Sequence, residues 1–206
     1  MIKNMVFDMG GVLIVWNPVQ MLARLRLPAE DEALLNRELL QNPIWTEADA
    51  GLYSEEQLAQ TACAHLPERL HESAWALVQW YKWFLTPMPG MEQLVRELKE
   101  NGYRIYLLSN AETNLRGYFP QIPGADCFDA LMVSAEERLM KPSQDIYRRL
   151  FQKFNLNPSE CWFTDDNAPN VEAAIQAGMH AAQFTGDVAQ LRRRMREAGI
   201  LCKEEL

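Results

Sequence analysis

Five short apolar runs, each followed at once by polar or turn-forming residues, constrain this chain more than any other feature. They are Met5 to Phe7, Ile105 to Leu108, Leu131 to Val133, Cys161 to Phe163 and Ala181 to Phe184. Runs this short and this apolar read as strands buried in a parallel sheet. Helical patterns lie between them: Glu92 to Glu100 after Pro89-Gly90, Gln144 to Phe154 after Pro142-Ser143, and Val171 to Ala177 ending at Gly178. Such alternation predicts an α/β fold with a doubly wound parallel-sheet (Rossmann-like) core.

One stretch breaks the rhythm. From about Trp16 to Pro87 there is no strand pattern and several helical ones, so residues 1–15 and 88–206 are expected to form the core and residues 16–87 an inserted α-helical unit. Ala29 to Leu40 spaces Leu34, Leu35 and Leu39 as a helix would, and Ser54-Glu55-Glu56-Gln57 has the capping-box pattern of a helix start. Trp75, Trp80, Trp83 and Phe84 crowd a third segment and read as packing, with the sealing of a site as the alternative.

With 206 residues and 48% hydrophobic content, the chain can bury one sizeable core and a small satellite of helices. Its 20 Lys and Arg against 28 Asp and Glu leave a net charge of -8, which argues against nucleic acid or an anionic membrane as partner, since both reward clustered positive charge. Cys63, Cys127, Cys161 and Cys202 are far apart and form no CxxC or Cys/His group, so reduced thiols are expected. The start, MIKNMVFDMG, runs straight into a strand without the pattern of a secretory signal, and no stretch approaches the ~20 apolar residues of a membrane span, so a cytoplasmic location is expected. Nothing in the composition sets an oligomeric state.

Open parallel sheets bind ligands beyond the carboxyl ends of their strands, where the polar residues after each run should converge. Those residues are Asp8, Ser109-Asn110, Lys141 and Asp165-Asp166. Taken singly each has an ordinary reading: Asp8 as a turn former, Lys141 as a solvated lysine before a helix, Asp165-Asp166-Asn167 as a helix N-cap cluster. Together they suit phosphoryl transfer, in which a protein mostly positions groups and neutralises charge around phosphorus. Asp8 would attack it to give an aspartyl-phosphate. Mg2+ takes oxygen ligands and would be held by Asp8 and Asp166, with Asp165 a further ligand or a supporting partner. Lys141 would hold phosphate charge and offset repulsion among the acids, while Ser109 and the amides around Asn110 would bind phosphate oxygens.

The four segments Phe-Asp8-Met-Gly10-Gly11-Val, Leu-Leu-Ser109-Asn110, Met-Lys141-Pro142 and Phe-Thr-Asp165-Asp166-Asn resemble, in order, the motifs of haloacid dehalogenase-like hydrolases. The match runs from Met5 to Ala177. The insertion after the first motif is similar to that superfamily's type-1 cap, and the double aspartate with glycine at position 10 is similar to bacterial α-D-glucose-1-phosphate phosphatases. The resemblance implies a Mg2+-dependent phosphatase acting on a small phosphorylated metabolite. It also implies that the carbonyl of Gly10 is a metal ligand. Typical members carry an aspartate two residues after the nucleophile as general acid and base, and glycine cannot move a proton, so acidic leaving groups, a cap residue or a water must compensate. A dehalogenase attacking carbon and a non-catalytic phosphometabolite-binding protein are the competing readings; the acid pair disfavours the first and the retained Asp8 the second.

Elsewhere, Trp45, Glu47, Asp49 and Tyr53 are expected in a loop before the Ser54 helix, with Trp45 and Asp49 as substrate-binding candidates against the plainer reading of a solvated turn. His65, His71 and His180 share no spacing and read as surface or core residues, and Arg192-Arg193-Arg194 as decoration of an exposed helix.

Overall fold

A computed structural model describes residues 1–202. The five apolar runs form five strands, β1 (Asn4–Phe7), β2 (Arg104–Ser109), β3 (Ala130–Val133), β4 (Cys161–Asp165) and β5 (His180–Gln183). They make one sheet in the order β3-β2-β1-β4-β5, and every neighbouring pair is parallel. β1 is central: Val6 lies beside Tyr106 of β2 and Phe163 of β4, and all four of its residues are buried. The order reverses at β1, which puts the sheet's switch point at the residue that follows Phe7.

Between β1 and β2 the chain forms α1 (Pro18–Arg24), α2 (Ala29–Leu35), α3 (Pro43–Asp49), α4 (Glu55–Ala64), α5 (His71–Val78), α6 (Trp80–Trp83) and α7 (Met91–Glu100). α4 starts at the expected capping box: the Ser54 hydroxyl accepts from the Gln57 N–H at 3.2 Å, and Gln57 Oε1 accepts from the Ser54 N–H at 2.9 Å. The helix expected over Ala29 to Leu40 is there, but beyond Leu35 it widens to a π turn, the Gln41 N–H donating to the Asn36 carbonyl at 2.8 Å. After β2 come α8 (Leu115–Tyr118), α9 (Ser134–Glu137), α10 (Gln144–Phe154), α11 (Ala168–Gln176) and α12 (Val188–Glu197). α11 begins before the expected Val171, with Pro169 in its first turn, where a missing N–H leaves no bond unmade.

Successive strand side chains point to opposite faces, and the core divides accordingly. Met5, Phe7, Ile105, Leu107 and Trp162 pack with α7, α12 and the insertion, while Val6, Tyr106, Leu108 and Phe163 pack with Ile146, Tyr147 and Leu150 of α10 and Ala173 and Ala174 of α11. Full burial of one such large side chain contributes about 1.5–3 kcal/mol. Both faces are therefore covered, the condition under which parallel strands carry no polar side. Among the described residues no helix is long and apolar enough to cross a membrane.

Two expectations about single residues change. Arg192 is not surface decoration: it is 4% exposed and pairs with Glu97 of α7, Nη1 to Oε2 at 2.7 Å, tying α12 to α7. Trp83 is 64% exposed and does not pack, whereas Trp80 and Phe84 are buried.

The insertion meets the core at Asp49 and Gly51. The Ser134 hydroxyl of α9 donates to the Asp49 carbonyl at 2.5 Å, and Gly51 has φ +77 with the position of a Cβ only 2.3 Å from the Ala135 carbonyl oxygen. Gly51→Ala is therefore expected to lower stability by about 1–3 kcal/mol through backbone strain and loss of this contact, read by chemical denaturation. A change near zero would mean that the segment shifts freely at this contact.

Candidate active site

Because the strands are parallel, the residues leaving their carboxyl ends share one edge. Asp8 follows β1 with its N–H bonded to the Thr164 carbonyl at 2.9 Å, so the β1 and β4 ends are locked together at the site. Its Oδ1 accepts from the Met9 N–H at 2.7 Å and lies 2.8 Å from the Lys141 Nζ. The same Nζ lies 2.6 Å from Asp165 Oδ2, so one ammonium bridges two carboxylates. The Lys141 side chain is 1% exposed and that of Asp165 0%.

The bridge is held from several directions. Asn110 accepts from the Lys141 N–H and donates to the Lys141 carbonyl, both at 2.9 Å. Asp165 Oδ1 accepts from the Asn167 N–H at 2.8 Å, and the Asn170 amide lies 3.1 Å from both of its oxygens. The acceptor positions of Asp165 are thus largely filled from within the protein. Asp166 is exposed, and oxygens of Asp8, Asp165 and Asp166 lie within 4.8 Å of one another. That approach needs Gly11, whose φ is +72 and where a Cβ would stand 2.3 Å from Asp166 Oδ2.

Charge is unbalanced here, since three carboxylates face one ammonium. Burial pushes Asp8 up to about 7, with Lys141 pulling it down and Asp165 pushing it further up. Burial and Asp165 likewise raise Asp166. Burial acts against the Lys141 ammonium, but Asp8 and Asp165 outweigh it and hold its pKa above the ordinary lysine value. A cluster of hard oxygen donors carrying surplus negative charge suits a divalent cation such as Mg2+.

A cavity of about 310 Å3 opens on this cluster. Asp8, Gly10, Asn110, Lys141, Asp166, Asn167 and Asn170 line it from the sheet side, Trp16, Trp45, Asp49 and Trp80 from the insertion, and Glu112 from the loop after β2. The three indoles pack on one another, Trp16 with its ring centre 5.1 Å from that of Trp80 and 5.9 Å from that of Trp45.

Ser109 is 1% exposed at the end of β2 and does not line the cavity, whereas Asp8, Gly10, Trp45, Asp49, Asn110, Lys141 and Asp166 do, and Asp165 is in contact with Lys141. The Asn110 carboxamide is engaged by the Lys141 main chain. Trp45 and Asp49 lie on a helix and not in a loop: Asn42 caps α3 by accepting from the Ile44 N–H at 3.1 Å and Pro43 opens it, so residues four apart present to the same cavity. Tyr53 is exposed outside it. Sequence reasoning missed Trp16, Glu112, Asn167 and Asn170. For the two asparagines the signal was their place beside the acid pair at the start of a helix.

A doubly wound sheet with a lysine-bridged carboxylate at its switch point and an acid pair on the next strand defines an α/β enzyme with a hydrolytic, cation-accepting centre. The family model described as haloacid dehalogenase-like hydrolase matches residues 2–178, and the chain belongs to that family. It is 27% identical to the sesquiterpene phosphatase astK of Aspergillus oryzae, over 91% of this chain and 92% of that protein. It is 26% identical to a D-ribitol-5-phosphate phosphatase of Bacteroides thetaiotaomicron, over 89% and 92%. A family enzyme from that bacterium, solved with magnesium and inorganic phosphate, superposes with a TM-score of 0.69 at 21% identity, covering 93% of this chain and 99% of that one.

Asn110→Ala removes both hydrogen bonds that fix the Lys141 main chain. The expected result is a stability loss of about 1–3 kcal/mol by urea denaturation, because a partly buried N–H and C=O lose their partners. A loss within error would place the support of Lys141 elsewhere.

Proposed function

We propose that the protein is a Mg2+-dependent phosphatase that hydrolyses a small phosphate monoester through an aspartyl-phosphate on Asp8. The observation that carries this is the Lys141 bridge between Asp8 and Asp165 beside the exposed Asp166. Asp8 lines the cavity with its Oδ1 held by Lys141 and the Met9 N–H, which fixes the carboxylate for attack on phosphorus. Lys141 balances the charge of Asp8 and of phosphate oxygens brought next to it. Asp8, the Gly10 carbonyl and Asp166 would hold Mg2+. Asp165, with its oxygens already taken by Lys141, Asn167 and Asn170, supports that set more than it ligates. The bound cation would neutralise charge on the transferring group and the carboxylates around it. Attack on carbon, as in dehalogenation, gains nothing from Asp166 and is disfavoured.

The finer reading is a hydroxyl-bearing ester, a sugar or polyol phosphate such as glucose 1-phosphate. It is supported by the indoles of Trp16, Trp45 and Trp80 lining the same cavity as Asp49 and Glu112, a combination of stacking surface and hydroxyl acceptors. The likeness to the ribitol phosphate enzyme points the same way. The insertion then acts as a cap that sets substrate choice over a fixed chemical centre.

Asp8→Asn is expected to cut phosphate release by about 10³-fold or more with an unchanged circular dichroism spectrum, since an amide is a poor nucleophile. Asp166→Ala should lose activity together with its Mg2+ response. Turnover by folded Asp8→Asn like that of wild type rules the nucleophile out. Trp45→Ala should weaken turnover of sugar phosphates by about 10-fold while sparing acetyl phosphate, whose leaving group offers a cap little to recognise. Equal losses on both would remove Trp45 from specificity.

A further inference from the structure

Two carboxyl groups in the cavity have no task in transfer to Asp8. Asp49 ends α3, Glu112 lies in the loop after β2, and both line the cavity that Asp8 lines. No lysine or arginine pairs with either among the described ion pairs, in contrast to Asp8 and Asp165. Glu112 Oε1 and the Tyr118 hydroxyl are buried without a hydrogen-bond partner. Tyr118 is stacked on Tyr81 at 4.5 Å, and the Tyr81 hydroxyl donates to Glu55 Oε1 at 2.9 Å and accepts from the Asn114 amide at 2.8 Å. Behind the two carboxyls, then, stand phenols, an amide and another carboxylate. Burial first, then Glu112 and Asp8, hold Asp49 well above the carboxylate range, and burial raises Glu112.

Expulsion of an ordinary alkoxide needs a proton, and Gly10 has none to give. Among the titratable groups that line the cavity, Asp8 attacks, Lys141 is bridged to two carboxylates, and Asp166 belongs to the cation-holding set. Asp49 and Glu112 remain. Of the two, Asp49 is the one carried by an element built onto the cavity: it ends α3, whose Trp45 lines the same cavity one turn earlier, whereas Glu112 lies in a loop beside Tyr118. Its main chain is fixed to the core through Ser134, and Gly51 packs on Ala135 just beyond it.

We propose that Asp49 is the general acid and base of this enzyme, a proton donor supplied by the inserted helices. As Asp8 Oδ2 bonds to phosphorus, the bond from phosphorus to the leaving oxygen breaks with its electron pair, and the Asp49 carboxyl gives that oxygen its proton. The Asp49 carboxylate then takes a proton from the water that attacks the aspartyl-phosphate, the bond between phosphorus and Asp8 breaks, and phosphate and both carboxyl groups are restored. The inference rests on the phosphatase reading above.

The test is kcat in saturating Mg2+ for glucose 6-phosphate, a primary alkyl ester, and for 4-nitrophenyl phosphate, whose phenolate leaves unaided. Asp49→Asn, which preserves shape and the Ser134 contact, should lose about 10²-fold or more on the first and less than about 10-fold on the second. In wild type, turnover of the alkyl ester should fall as pH rises and the donor is lost, and that of the phenyl ester should not. The charged and titratable neighbours that set this limb are Asp8, Glu112, Tyr118 and, through Tyr81, Glu55. Equal losses on both esters in Asp49→Asn, or no loss, overturn the proposal, as does the selective loss appearing in Glu112→Gln and not in Asp49→Asn. Failure of wild type to release phosphate from either ester, or from acetyl phosphate, would instead sink the phosphatase reading itself.

Discussion

The structure turns on one buried ammonium. Lys141 sits between Asp8 and Asp165 with almost no solvent contact, and removing charges of this kind from water costs several kcal/mol per ion unless geometry and hydrogen bonds compensate. Every neighbour serves that compensation: Asn110 fixes the lysine main chain, Asn167 and Asn170 fix Asp165, and the Phe163 ring faces the ammonium at 5.5 Å. The three charged groups come from the end of β1, the loop beyond α9 and the end of β4. They meet only because β1 and β4 are parallel and in register, with Asp8 bonded to Thr164. A slip of one residue would turn Asp8 to the other face of the sheet.

What could be read from the sequence divides along the same line. The inner strands are buried and largely apolar, and even the partly exposed edge strand β5 keeps Ala181 and Ala182, so all five showed in the sequence, and the polar residues at their ends identified Asp8, Lys141 and the acid pair. Contacts between distant residues left no such trace. Arg192 sits in a basic run that looks solvated, and its ion pair with Glu97, far back on α7, gives no local sign in the sequence. Glu112 is an ordinary acid after a strand until Tyr118 and Tyr81 close over it. α3 was read as a loop because its acidic and aromatic residues mask a helix whose start depends on the Asn42-Pro43 cap.

Two glycines set distances that no other residue permits. At Gly11 the absent side chain lets Asp166 come against the loop after β1, and at Gly51 it lets the insertion rest on α9. The first draws the acidic cluster together; the second brings the α3 end, with Trp45 and Asp49, over it. Core and insertion therefore reach the same cavity by close backbone approach, and each contributes a different kind of group: fixed charge from the strand ends, and an indole wall with an uncompensated carboxyl from the helices.

That contrast is chemically useful. Carboxyl groups in one cavity take different protonation states when their surroundings differ, and such divergence separates acids from nucleophiles. Asp8 has Lys141 within hydrogen-bonding distance and belongs to an acidic cluster that could hold a divalent cation, and positive charge of that kind favours the carboxylate that the proposed attack would need. Asp49 is buried beside Glu112, and burial first, then the neighbouring carboxyls, favour its neutral acid. A side chain at position 10 would stand near Trp16, its Cβ 3.5 Å from that of the indole residue, so an acid there would share the indole wall. A donor on α3 would instead tie proton transfer to the seating of the insertion, through the Ser134 bond to the Asp49 carbonyl and the close approach of Gly51 to Ala135.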